Sequence, residues 1–143
     1  MDPITQGLIG ASLPQAVAPN RRLLLWAGCF GFFAGMLPDL DVLIRSTSDP
    51  LLFLEFHRQF THAFIFIPVG GLIAAAIFHL LFRNRSGLVF GKVWFYCTLG
   101  YATHGLLDAF TSYGTVLWWP FSDDRISFSI VSVVDPLFSL PVL

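Results

Sequence analysis

Residues 63–82 read AFIFIPVGGLIAAAIFHLLF, a run from Ala63 to Phe82 with no Asp, Glu, Lys or Arg. A helix rising about 1.5 Å per residue needs about 20 such residues to cross the ~30 Å hydrocarbon core of a bilayer. This run decides the class of fold, and the composition of the whole chain agrees with it. The 143 residues are 55% hydrophobic and 12% charged, against about 25% charged in an average soluble domain. A chain this short exposes much of its surface and needs charge there, so the composition argues against a soluble monomer and against disorder. The net charge of −1, with eight Lys and Arg, leaves no basic footprint, and no nucleic-acid partner is expected. Cys29 and Cys97 lie in apolar runs and read as buried thiols, not as a disulfide framework or zinc knuckle.

Three further uncharged runs accompany the first. They cover residues 23–38, residues 93–107 (continuing past Asp108 to 122) and residues 126–143, the last interrupted only by Asp135. The four runs predict an all-α transmembrane bundle with about four spans, forming one domain over residues 1–143. Residues 4–18 are shorter and carry Thr5, Gln6, Ser12 and Gln15, which suits a short span or an interfacial helix. Met1-Asp2-Pro3 has no basic n-region, and no cleavage site follows a compact apolar core, which argues against a cleaved signal peptide. The apolar run still open at Leu143 leaves room for a continuation of the chain.

Charge sorts along this layout. Arg21 and Arg22 precede one span, and Arg83, Arg85 and Lys92 lie between two others. If residues 23–38 and 63–82 are antiparallel, these five share a side, which the positive-inside rule makes cytoplasmic. Arg45, Arg58 and Arg125 fall on the far side, with Asp39, Asp41, Asp49, Glu55, Asp123 and Asp124. Asp108 lies 16 residues past Lys92, about 24 Å along a helix, near the same far side.

Three motifs meet there. Pro38-Asp39-Leu40-Asp41 ends a helix with two acids, and an extended i, i+2 pair would point both carboxylates the same way. In His57-Arg58-Gln59-Phe60-Thr61-His62, Thr61 reads as an N-cap, His57 as a loop residue and His62 as part of the first helical turn. In His104-Gly105-Leu106-Leu107-Asp108 the i, i+4 spacing puts imidazole and carboxylate on one helix face, while Gly100 and Gly105 permit close packing. Each motif alone is as readily a cap, an interfacial pair or a structural hydrogen bond. Together, Asp39, Asp41, His57, His62, His104 and Asp108 form a ligand set for zinc, with manganese or iron as alternatives. A water bound to such a metal has its pKa lowered toward about 7 and becomes a nucleophile for hydrolysis. Asp41 or Asp39 is the candidate base, and Arg58 a candidate for stabilising transition-state charge. Thr111, Ser112 and Tyr113 are placed to orient Asp108. His79 lies about 25 Å along the helix from His62 and is left out. Trp118, Trp119 and Phe121 read as an interfacial belt. The chain has no HExxH, GxSxG or P-loop pattern.

These residues match a known pattern. Met1-Asp2-Pro3-Ile4-Thr5-Gln6, Leu37-Pro38-Asp39-Leu40-Asp41, the 57–62 motif, residues 104–114 and Trp119-Pro120-Phe121-Ser122 resemble, in the same order, the YdjM-like family of membrane-bound metal-dependent hydrolases. The resemblance implies a multi-pass bacterial or archaeal inner-membrane protein that hydrolyses a small-molecule or lipid substrate with a bound metal. The family's substrate is not established, and some members are linked to the SOS response. Many relatives carry His where Gln6 stands, which leaves Gln6 as a weak oxygen ligand or a support. A looser likeness to zinc-dependent phospholipases C and nucleases suggests phosphoesters, including lipid head groups. The competing readings are a non-enzymatic metal-binding membrane protein and a stress-response interaction protein. A transporter would carry polar residues through the membrane depth, and residues 63–82 have none before His79.

Overall fold

The computed structural model describes residues 1–44 and 57–142, so Arg45, Asp49 and Glu55 lie outside the described residues. Four helices of 14 to 20 residues dominate: α1 (Pro3–Ala16), α2 (Arg21–Met36), α3 (Ile67–Ser86) and α4 (Phe90–Ala109). A one-turn helix, α5 (Pro136–Ser139), follows near the end. No strand forms among the described residues, which carry two isolated bridges instead.

Local chemistry sets the ends. Asp2 caps α1 by accepting from the Thr5 amide at 2.9 Å, and Asn20 caps α2 by accepting from the Leu23 amide at 3.0 Å, each filling an orphan donor of a first turn. Gly87 ends α3 in the left-handed conformation at φ 66°, a position suited to glycine. Beyond Met36 the chain tightens into a 3-10 turn over Leu37–Leu43, and α3 is preceded by 3-10 turns over Phe60–His62 and Phe64–Phe66. With these extensions, Arg21–Leu43 and Phe64–Ser86 are each 23 residues long and apolar enough to cross a membrane. α4 has 20 residues, and its His104 and Asp108 are fully buried. α1, at 14 residues, is about 21 Å long.

Three helices cross at glycines. A Cβ added to Gly100 would lie 2.6 Å from the Gly31 Cα, one at Gly10 would lie 2.7 Å from the Gly31 carbonyl oxygen, and one at Gly35 would lie 2.9 Å from the Gln6 carbonyl oxygen. α1, α2 and α4 therefore meet backbone to backbone, the small-residue solution expected where lipid supplies no hydrophobic drive between helices. Below the crossing, Ala27, Phe30, Ala34, Ala74, Ala75, Val93, Tyr96 and Cys97 form the apolar core. Cys97 is buried, but Cys29 is exposed on the outside of α2, because its neighbours Gly28 and Phe30 occupy the inward face.

The bundle has two chemically different ends. Arg22 donates to the Ser86 carbonyl at 3.2 Å, which joins the start of α2 to the end of α3. His79 meets Phe90 edge to face towards that same end. Asp39, beyond α2, and His62, before α3, meet at the opposite end. α2 and α3 thus run antiparallel, as the charge sorting assumed.

Residues 126–143 depart from the sequence reading. Ile126-Ser127-Phe128-Ser129-Ile130 alternates with period two, the pattern of an extended segment. It pairs Thr115 with Ile126 and Thr111 with Val131, with Phe128 donating to the Ala109 carbonyl at 2.8 Å. Asp135-Pro136 then starts α5 as a cap followed by proline, with Phe138 N–H 3.3 Å from Asp135 Oδ1. The third run likewise stops being helical at Ala109. Residues 110–135 lie over the end of the bundle instead of continuing α4.

The glycine crossing generates a test. Gly100→Val forces a branched side chain into the α2 backbone, where a Cβ already lies 2.6 Å from the Gly31 Cα, and should cost about 1–3 kcal/mol or more. Thermal unfolding in detergent should show it as a lowered midpoint. Gly91→Ala is the control, because a Cβ there meets nothing within 4 Å.

Candidate metal centre

The 3-10 turn after α2 controls where its two acids point. At three residues per turn, positions two apart diverge by about 120° around the axis, so Asp39 and Asp41 do not face the same way as an extended pair would. They reach opposite edges of one imidazole. Asp39 Oδ1 is 3.6 Å from His62 Nε2, and Asp41 Oδ2 is 3.5 Å from His62 Nδ1.

Asp41 organises the 57–62 turn. Its Oδ1 is 2.7 Å from His57 Nδ1, and its Oδ2 accepts from the Arg58 amide at 2.9 Å and from the Thr61 hydroxyl at 2.8 Å. Arg58 sits at φ 62°, an uncommon conformation for a residue with a side chain. It is pinned there because its N–H binds Asp41 while its carbonyl accepts from the Val116 amide at 3.1 Å and the Thr115 hydroxyl at 3.2 Å. The turn sends His57 to one side and brings Thr61 and His62 to the bundle. Thr61 does not cap α3. Its hydroxyl bridges Asp41 and His62 Nδ1, the latter at 2.9 Å. Gly105 lets the turn dock, because a Cβ there would run into the His62 carbonyl.

His104 comes from the α4 side. Its Nδ1 faces the Gly35 carbonyl of α2, which can only accept, so Nδ1 carries the hydrogen. The Thr61 hydroxyl donates to Asp41 and therefore accepts from His62 Nδ1. Both imidazoles are thereby held through Nδ1 with Nε2 turned to the cluster, the arrangement that orienting partners impose on metal-binding histidines.

The two Nε2 atoms meet two carboxylate oxygens. His104 Nε2 is 3.3 Å from Asp39 Oδ1 and 3.5 Å from Asp108 Oδ2. His62 Nε2 is 3.3 Å from Asp108 Oδ2 and 3.6 Å from Asp39 Oδ1. One ligand atom from each of Asp39, His62, His104 and Asp108 lies within 4.8 Å of all the others. His62 Nε2 and Asp108 Oδ2 are buried without a hydrogen-bond partner. The edges of 3.3–3.6 Å exceed the about 2.7–2.9 Å of a charge-assisted hydrogen bond. These four of the six edges lie near that of a tetrahedron with about 2.0–2.1 Å metal–ligand bonds, about 3.3–3.4 Å, within a set that spans up to 4.8 Å. The donor set and spacing therefore fit a divalent cation of the zinc type.

Asp108 is held from its other side as well. Its Oδ1 accepts from Gln6 Nε2 at 2.9 Å and from the Met1 nitrogen. Arg58 Nε is 3.3 Å from Oδ2, and Arg58 Nη1 donates to the Thr111 hydroxyl at 3.2 Å. Gln6 is fully buried, with Oε1 lacking a partner.

Of the six sequence-predicted ligands, the structure brings Asp39, His62, His104 and Asp108 into one cluster, and sets Asp41 and His57 beside it as a hydrogen-bonded pair. Arg58 is buried against Asp108, with its guanidinium 4.9 Å from the Tyr113 ring centre. Thr111 binds Arg58 and the Asp108 backbone, not the Asp108 carboxylate. Asp135 caps α5 and is not among the four clustered residues. Sequence reasoning missed the Gly35 carbonyl and the bridging role of Thr61. The Thr61-His62 adjacency carried a signal for the bridge, but a backbone carbonyl carries none.

The chain is 38% identical over 119 residues to the inner membrane protein YbcI of Escherichia coli (strain K12), covering 82% of this chain and 64% of that protein. It is 26% identical over 99 residues to the uncharacterised protein YfhP of Bacillus subtilis (strain 168), covering 69% of this chain and 29% of that protein. The chain thus spans less than two thirds of the length of either curated relative. No solved structure matches it. The family model of the YdjM inner membrane protein matches residues 1–143, and the chain belongs to that family.

Proposed function

We propose that this chain is a multi-pass inner-membrane hydrolase that holds a divalent cation between Asp39, His62, His104 and Asp108 and cleaves an ester or phosphoester at the non-cytoplasmic face. Zinc is the first choice of metal and manganese the second. One observation carries the reading: one nitrogen or oxygen atom from each of these four residues lies within 4.8 Å of all the others, and two of these atoms are buried without a hydrogen-bond partner. A cation among them would satisfy both. Two 23-residue apolar helices and the 20-residue α4 support several crossings, and the five basic residues at one end support the orientation.

A bound divalent cation supplies Lewis-acid charge and makes water in its coordination sphere more acidic. The chain's own groups do the rest. Asp39 has a side chain 24% exposed, whereas those of His62, His104 and Asp108 are closed off, so substrate approaches over Asp39. Arg58 adds a fixed positive charge behind Asp108. An apolar groove of about 270 Å³ starts at Asp41 and Thr61 and continues along Leu37, Leu40, Ile73 and Ile77. That groove suits the alkyl chain of a lipid-derived substrate.

Elemental analysis of detergent-purified protein tests the metal. About one zinc or manganese per chain is expected in the wild type, and His104→Ala should lose most of it. A metal-free wild type, or unchanged content in His104→Ala, removes the proposal. The Thr61 bridge gives a finer measurement. Thr61→Val should weaken metal affinity ~10–100-fold, the usual effect of losing an orienting partner, and Thr61→Ser should restore it. Competition with a chromogenic chelator reads both.

A further inference from the structure

We infer that the ligand of this centre is a single-chain amphiphile drawn sideways from the membrane, with its alkyl chain lying in the groove between the turn after α2 and α3. The inference rests on the metal-centred reading above and names its substrate class.

Two helical stripes build the walls of the groove. Leu37 and Leu40 stand three residues apart in a 3-10 turn, so they eclipse on one face. Gly70, Ile73 and Ile77 follow the i, i+3, i+7 pattern and share one face of α3. Tyr101 closes the groove from the α4 side. Its ring lies against Gly70, where an added Cβ would come within 2.3 Å of it, and its hydroxyl donates to the Thr61 carbonyl at 2.8 Å. A larger residue at position 70 would displace the ring.

Length, ends and volume select one occupant. From Ile67 to Ile77, α3 rises about 15 Å, half of the ~30 Å hydrocarbon core. The groove therefore has the depth of one leaflet, the one on the cluster's side of the membrane. At its polar end stand Asp41 and Thr61, both at His62 Nδ1, so the cluster lies across the width of that one ring. Leu37 and Leu40 flank Asp39 in sequence, and Asp39 is the cluster residue with the exposed side chain. The far end is apolar. Ile73 and Ile77 are 51% and 46% exposed, on a segment long and apolar enough to cross a membrane, so the groove faces the acyl chains along its length. Its volume is about 270 Å³. At ~30 Å³ for a group the size of water, close to that of a methylene, it holds about nine groups. That is one chain of medium length, and not the two chains of a diacyl lipid.

A head group held at the cluster beside Asp39 therefore has its chain delivered past Leu40 into the groove. Chain length is then measured along α3. Ile73 stands about 6 Å short of Ile77, so added bulk at the two positions closes the groove at different lengths.

The test is calorimetric binding of n-butyl-, n-octyl- and n-dodecylphosphonate to the metal-loaded full chain in detergent. Ile77→Trp fills the far end of the groove and Ile73→Trp its middle. Both positions are partly exposed, and Ile77→Phe and Ile73→Phe replace them should either fail to fold. Leu72→Trp adds the same bulk outside the groove, at a residue 44% exposed. Comparing proteins at one chain length cancels the partitioning of the ligand into detergent. Expected are wild-type metal content and unchanged n-butyl binding throughout. Ile77→Trp should weaken n-dodecyl binding ~5–150-fold, the effect of extra bulk in a filled space. Ile73→Trp should weaken n-octyl binding as well, and Leu72→Trp should change neither. Removing the metal from the wild type should weaken n-dodecyl binding by at least ~10-fold, the worth of one contact to a charged group. Equal n-dodecyl affinities in all four proteins would mean that bulk lipid merely covers the groove, and would overturn the proposal. So would losses that ignore chain length, or n-dodecyl binding that survives metal removal. Turnover of n-dodecyl 4-nitrophenyl phosphate and 4-nitrophenyl dodecanoate is read in parallel. If binding follows the expected pattern and neither ester is cleaved, the hydrolase reading falls and the groove stands as the amphiphile site of the metal centre.

Discussion

A carboxylate with no solvent exposure, Asp108, is the constraint around which this molecule is arranged. A buried charge persists only when paired and hydrogen-bonded. Every segment of the bundle end contributes to meeting that demand. α1 brings Gln6 and the Met1 nitrogen, the 57–62 turn brings Arg58 and His62, and α4 brings His104 one helical turn away. The glycine crossing serves the same end, because it brings the α1 backbone close to α2 and α4, and Gln6 Nε2 reaches Asp108 Oδ1 at 2.9 Å.

The two aspartates after α2 divide their work through backbone geometry. Had the chain stayed extended, Asp39 and Asp41 would have shared a face and competed for one role. The 3-10 turn separates them, so one faces the cluster and the other secures the turn that carries His62. A pair two residues apart becomes two functions on either side of one ring.

Much of this was readable from the residues, for identifiable reasons. Long uncharged runs and sorted charges are one-dimensional signals, so helices α2, α3 and α4 and the gathering of acids and histidines at one end follow from spacing alone. The rest depends on information that spacing does not contain. Residues 126–134 were read for lack of charge when their alternation of Ile126, Phe128 and Ile130 with serines was the decisive feature. The short N-terminal segment became a full member of the bundle because Gly10 faces Gly31, a complementarity visible only in three dimensions. His57 and His62 both count as ligands in the sequence, and the left-handed turn at Arg58 between them is what separates their surroundings.

The bond from His104 to the Gly35 carbonyl has a wider consequence. That carbonyl belongs to the last turn of α2, where helix carbonyls lack partners within the helix, so the imidazole also closes the end of a neighbouring helix. Occupancy of the cluster and the seating of α2 against α4 then share a single hydrogen atom. By thermodynamic linkage, whatever binds the assembled cluster in preference to the separated side chains raises the free energy of pulling the helices apart by the same amount.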